Sequence, residues 1–179
     1  DLNSFCVSLI NIKKQITKKT KVVVVTHTYG NINEIINIKK FCKSRNIILI
    51  EDAAESFGSK YQKKLCGSIG DIGTFSLHAT KNITTGEGGL ILTNSKKIAS
   101  KIKLYRSHGV TKKKYYHIVP GHNFRLTNFQ AAMGMVQFRN RNRIFQKRKQ
   151  IYSLYKSKIK NDNVVFQNIE KKVNFIPWT

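Results

Sequence analysis

Three side chains in this sequence stand where chemistry can be done. Asp52 follows an apolar run, 47–50, with the length and composition of a strand. Ser76 closes a second strand-like run at 72–75, and Lys81 follows where the chain turns into a loop carrying Gly86, Gly88 and Gly89. The flanks of Lys81 are small, hydroxylated or glycine residues, which suit something held close to the backbone. An amine can form an imine, and a carboxylate can pair with a pyridinium nitrogen. Hydroxyl and backbone N–H groups can hold a phosphate. Together these are what pyridoxal phosphate (PLP) chemistry requires. Residue types alone leave an alternative open, because most lysines of this chain read as solvated surface.

The elements that must position these groups follow from hydrophobic patterning. The β-branched run 21–26 and the run 47–50 suit strands buried on both faces of a parallel sheet. Between them, 32–46 has an apolar stripe at helical spacing (Ile32, Ile35, Ile36, Ile38 and Phe41), with Asn31 as its expected cap. This strand, helix, strand order predicts a βαβ unit with a right-handed crossover. In such sheets ligand chemistry gathers at the carboxyl ends of the strands, where Glu51 and Asp52 lie. Asp52 is also expected to cap the short turn 53–56. A short helix is expected over 11–16, a small hairpin over 60–65 with a glycine-free and therefore looser turn, and a strand over 90–93. A helix over 95–108 has Ser95 as its cap and Ile98, Ile102 and Leu104 or Tyr105 inward. After a Lys- and Tyr-rich loop at 111–120, one long helix is predicted over 127–156, and a strand begins at 164–166. The fold class is α/β.

The chain has 179 residues, of which 40% are hydrophobic, enough for one ordinary globular domain. No apolar run has the length of a membrane span. Three cysteines, Cys6, Cys42 and Cys66, are few, odd in number and widely spaced. This pattern predicts a reducing cytoplasm, no disulfide framework and no metal site. His117 and His122 read as surface residues. His27 and His78 lie close to the expected site and are either structural or in contact with its ligand. The formal net charge is +24. The lysines are scattered among Asn and Ile residues with no nucleic-acid-binding motif beside them, so a solvated surface that steers anionic ligands is preferred over nucleic-acid binding.

Three motifs, in order, carry the reading further: Glu51-Asp-Ala-Ala-Glu-Ser, Gly70-Asp-Ile-Gly-Thr-Phe-Ser-Leu-His-Ala-Thr-Lys-Asn-Ile-Thr-Thr-Gly-Glu-Gly-Gly and Gly121-His-Asn-Phe-Arg-Leu-Thr-Asn-Phe-Gln-Ala-Ala-Met-Gly. Together they closely resemble the DegT/DnrJ/EryC1/StrS family of PLP-dependent sugar aminotransferases, over nearly the whole chain. The resemblance implies PLP-dependent transferase fold type I, with residues 1–157 forming part of the large domain: a mostly parallel sheet flanked by helices, ending in the long helix. Residues 158–179 would begin a truncated C-terminal small domain. Lys81 matches the lysine that holds PLP covalently and moves the proton. Asp52 matches the partner of the pyridine nitrogen, and Ser76 a phosphate-binding serine. Glu55 stands where many members carry glutamine near the cofactor ring. Asn123 and Arg125 match residues lent to the neighbouring site of a homodimer, Asn123 near the phosphate. The loop 84–89 falls near the cofactor or the dimer interface.

The implied reaction moves an amino group from an amino acid, glutamate by resemblance, to a nucleotide-linked keto-sugar, in glycan or antibiotic-sugar synthesis. Lysine at position 81 argues against the branch of the family that carries histidine there and deoxygenates sugars. The family's chains are longer at both ends, so the sequence reads as an internal fragment expected to have little activity alone. Three alternatives stand beside it: a PLP enzyme with a different acceptor such as an inosose, a basic nucleic-acid-binding protein, and a catalytically inactive fragment of the family serving as a dimer partner.

Overall fold

The computed structural model describes residues 1–32, 34–111, 113 and 115–179. The predicted helix over 32–46 and the loop over 111–120 each include residues outside that set: Asn33 in the first, Lys112 and Lys114 in the second.

A four-stranded sheet organises the chain. Strands β1 (Val22–Thr26), β2 (Ile48–Asp52) and β5 (Ile72–Ser76) run parallel in that order, and β6 (Gly89–Leu92) closes the edge antiparallel to β5. Helix α1 (Leu9–Gln15) precedes β1, and α2 (Ile35–Ser44) makes the crossover from β1 to β2. The predicted βαβ unit is therefore present. Its core is the inward stripe of α2 (Ile35, Ile38 and Cys42) packed with Ile32, Val25 and Leu49. These residues are at most 2% exposed.

The two-sided burial expected for β1 and β2 is corrected. Val22, Val24 and Ile48 are 42–59% exposed. Parallel partners share a face of the pleat, and Val22 pairs with Ile48 and Val24 with Ile50. That face is left open, while α2 covers the other.

The expected cap of α2 is also corrected. Asn31 is buried, gives its amide N–H groups to the carbonyls of Ser4 and Asn168, and accepts from the Ile32 backbone N–H. Glu34 stands at the N-cap of α2 in a left-handed conformation, and its carboxylate accepts the Leu9 N–H at the start of α1.

The hairpin forms as expected from β3 (Lys60–Tyr61) and β4 (Lys64–Leu65). Its turn is not loose. Gln62 and Lys63 both take positive φ, 47° and 70°, the mirror-image turn that closes a two-residue hairpin. Ser95 caps α3 (Lys96–Arg106), accepting the Ile98 N–H. Ile98, Ile102 and Leu104 are half-buried and Tyr105 is 48% exposed, so α3 lies across an open apolar cleft of about 860 Å³ beside β6.

The single long helix is instead two: α4 (Asn128–Arg139), opened by a Thr127–Gln130 capping box, and α5 (Arg141–Lys158). They meet at Asn140, whose side-chain amide bonds the Val136 carbonyl. Asparagine offers the backbone that alternative where a better helix former would not. The strand expected at 164–166 is absent: Phe166 packs edge-on against Tyr152 of α5. The strand lies further on, as β7 (Val173–Asn174), on the free edge of β3.

Candidate active site

The carboxyl ends of β1, β2 and β5 form one edge of the sheet. Thr26 pairs with Asp52 and Asp52 with Thr74, and Ser76 follows two residues on. Register partners, and residues two apart on a strand, point to the same face. Asp52, Thr74 and Ser76 therefore share the face that α2 leaves open. Glu51 points the other way, into the core.

Each predicted group is positioned by local bonds. One Asp52 carboxylate oxygen accepts the Ala54 N–H at 3.1 Å, so the expected cap of the turn is made. Among the described residues its other oxygen has no hydrogen bond. Ser76 Oγ accepts the His78 N–H at 3.2 Å, which leaves its own proton to give. The Lys81 N–H bonds the His78 carbonyl, while its amine makes no hydrogen bond or ion pair among the described residues. Lys81 Nζ instead sits 3.6 Å from the ring centre of Trp178. Glu55 is used within the protein: its carboxylate accepts the N–H of Tyr29, a residue at φ 56°.

The glycine loop is tied down from both sides. Leu77 bonds through its N–H to Gly88 and through its carbonyl to Thr84 and Thr85. Gly88 needs to be glycine, since φ is 137° and a Cβ would come 2.5 Å from Leu126. Helix α4 seats on this loop through Gly134, where a Cβ would meet Thr85 at 2.8 Å, and through a Gln130 bond to the Glu87 carbonyl.

Among the described residues, no hydrogen bond or ion pair brings Asn123 or Arg125 to this edge. They are exposed, bonded to one another (Nε to Oδ1, 3.3 Å), on a segment running beside the end of α3.

His27 takes the structural role. It is buried against Glu51, with Nε2 3.0 Å from Oε2. Glu51 also accepts the N–H groups of Gly67, Ile69 and Gly70. Burial pushes its pKa up, but the His27 bond and the Gly70 and Gly67 N–H groups outweigh it and hold the carboxyl below its ordinary value. Cys66 lies close to both, and the three could face a cation. Glu51 already carries four donors and burial holds the Cys66 thiol protonated, so the group reads as a polar knot. His78 is exposed, with Nε2 3.6 Å from Glu87.

Tyr29, Thr74 and Trp178 were missed from sequence as site neighbours. Strand alternation could have found Thr74. Nothing local could have found Trp178, whose indole N–H bonds the Thr80 carbonyl 98 positions away.

A phosphorylated pyridine aldehyde fits this donor set. Among the described residues one carboxylate oxygen of Asp52 and the amine of Lys81 have no polar partner; the first suits a protonated ring nitrogen, the second the aldehyde carbon, and the Ser76 hydroxyl a phosphate.

Comparison with known proteins agrees. Residues 1–176 match the DegT/DnrJ/EryC1/StrS aminotransferase family. The chain is 38% identical to GDP-perosamine synthase of Escherichia coli O157:H7 over 179 residues, covering 99% of this chain and 49% of that protein. It superposes on Helicobacter pylori PseC, an aminotransferase involved in the biosynthesis of pseudoaminic acid, with a TM-score of 0.84 and 34% identity, covering 89% of this chain and 44% of that one. It also superposes on Escherichia coli GDP-4-keto-6-deoxy-D-mannose-3-dehydratase with bound hydrated PLP, with a TM-score of 0.83 and 28% identity over 90% and 46% of the two chains. The chain spans about half the length of the curated relatives it matches. It belongs to the DegT/DnrJ/EryC1/StrS aminotransferase family, whose members depend on pyridoxal phosphate.

Proposed function

We propose that this chain is the cofactor-holding part of a sugar aminotransferase, which moves an amino group from an amino acid, glutamate in the first instance, to a nucleotide-linked keto-sugar. The observation that carries the reading is the shared open face at the strand ends, with Asp52 in register with Thr74, Ser76 two residues further along the same face, and the Lys81 amine, unpaired among the described residues, in the loop that follows. PLP, when bound, supplies an electron sink for the carbanion formed at the donor's α-carbon. The chain's own residues do the rest. Asp52 keeps a proton on the ring nitrogen. Ser76 gives its hydroxyl proton to a phosphate oxygen. Lys81 holds the cofactor and, once released, carries a proton at Nζ from one carbon to the next. Glu55 orients Tyr29 and so frames the same edge.

The site is completed by a second copy in this reading. Asn123 and Arg125 are exposed beside α4, whose Phe129, Met135 and Val136 are 53–79% exposed. Such a face suits a homodimer in which these two residues reach the neighbouring site. Residues 1–157 belong to the large domain and 158–179 lead into the small one. Three free, buried cysteines suit a reducing cytoplasm.

The test is transfer of isotopically labelled nitrogen from glutamate to a nucleotide keto-sugar by the longer protein that carries this chain. Asp52→Ala and Lys81→Ala should each abolish it. Undiminished transfer by Lys81→Ala would overturn the assignment.

A further inference from the structure

Trp178 is held in place from four sides. Its indole N–H donates to the Thr80 carbonyl at 3.0 Å, and its backbone N–H faces the Tyr29 carbonyl at 3.4 Å. Its ring lies nearly parallel to that of Tyr29, at 11° and 6.1 Å between centres. The preceding Pro177 is buried and accepts the Asn82 side-chain amide at 3.2 Å. All four anchors touch the neighbours of Lys81 or the turn at the end of β1. The result is one indole face 3.6 Å from Lys81 Nζ, with no carboxylate paired to that amine among the described residues.

An aromatic face attracts a cation through its quadrupole and offers nothing comparable to a neutral amine. We propose that Trp178 is a positioning residue for Lys81: its indole face is where the ε-amino group rests, charged, whenever that nitrogen is not bonded to the cofactor. This rests on the reading of Lys81 as the cofactor lysine. During proton transfer, the amine that takes a proton becomes an ammonium. The ring then holds it beside the site, and it gives the proton up to the next carbon without swinging into water. A carboxylate in the same place would hold the charge more tightly and hinder the second transfer. The indole makes the weaker hold that a shuttle needs. Tyr29, pinned by Glu55, backs the indole so that the ring keeps its angle.

Trp178 is the only tryptophan of the sequence, so tryptophan fluorescence reports this one side chain. The experiment uses the cofactor-free chain and compares emission and acrylamide quenching of wild type, Lys81→Met and Lys81→Arg, with circular dichroism to show that each is folded. Lys81 is half-buried and on a turn, which makes both substitutions compatible with folding. Lys81→Met is expected to shift the emission and raise quenching, because the ring loses its charged cover. Lys81→Arg is expected to stay near wild type, since a guanidinium stacks on an indole as well as an ammonium does. A folded Lys81→Met whose emission and quenching equal those of wild type would overturn the proposal, as would a Lys81→Arg that behaves like Lys81→Met. Adding PLP to wild type separates this from the cofactor reading. Emission moving toward that of Lys81→Met upholds both. A clear difference between the cofactor-free variants with no capture of PLP at Lys81 upholds the contact but removes the cofactor role, and the proposal with it.

Discussion

Replacing Glu51 with glutamine should cost this chain about 1.5–3 kcal/mol of stability, and the figure follows from four bonds. The carboxylate is fully buried and accepts from His27, Gly67, Ile69 and Gly70, two on each oxygen. An amide has one acceptor oxygen and one NH₂ group. Facing the NH₂ toward Ile69 and Gly70 would set it against two backbone donors. Facing it toward His27 and Gly67 is milder, because the imidazole has a tautomer whose Nε2 accepts from the amide, leaving only the Gly67 N–H without a partner. That orientation breaks the Gly67 bond to a charged acceptor and leaves its buried N–H stranded, a single loss worth about 1.5–3 kcal/mol. Losses in the surviving bonds are offset by no longer burying a charge. The assay is urea unfolding at neutral pH followed by circular dichroism, with the slope checked so that midpoint shifts convert to free energy. A Glu51→Gln chain within about 0.5 kcal/mol of wild type, the range of an ordinary surface substitution, would refute the reasoning that this knot anchors the 67–70 loop to β2.

Two other outcomes follow from the same structure. Lys63→Gly should stabilise the chain by about 0.5–1 kcal/mol, since Lys63 pays for a left-handed conformation at φ 70° that glycine takes freely, partly offset by the greater unfolded-state freedom of glycine; urea unfolding of the variant checks it. Acid should unfold the chain through Glu51 and Asp71, both held below their ordinary pKa values of 4.5 and 3.8. For Asp71, burial pushes upward and the Lys39 ammonium and Leu49 N–H outweigh it. A depressed folded pKa contributes stability that is fully present above the ordinary value and is lost as pH falls through the folded one. The unfolding midpoint should therefore hold from neutral pH to about 5 and decline below it, and Glu51→Gln should flatten that decline.

Much of this fold is written locally. The β-branched run of β1, the apolar stripe of α2, the Ser95 cap and the Thr127 start of α4 each need only their neighbours to be read. The Asp52, Ser76 and Lys81 arrangement is legible because strand ends, a turn and glycines stand in sequence around it. What failed depends on distant chain. Val24 is as apolar as a doubly buried strand residue, yet nothing covers its face; composition cannot say which side of a sheet a helix will take. Asn31 has the chemistry of a cap and is claimed instead by Ser4 and Asn168. Asn140 interrupts a pattern that is otherwise continuous, by one side-chain bond. Glu51 and Asp52 are adjacent carboxylates with opposite fates, because a pleat turns one into the core and the other to the open face.

The measurement that tests the central claim most directly is capture of PLP. The purified chain is mixed with PLP, its absorbance is recorded, borohydride is added, and the reduced adduct is mapped by peptide mass. A defined visible band that borohydride removes, with the label on the peptide carrying Lys81, is the predicted result. A band with the label spread over the surface lysines, and Lys81 unmodified, would contradict the assignment of Lys81 as the cofactor lysine.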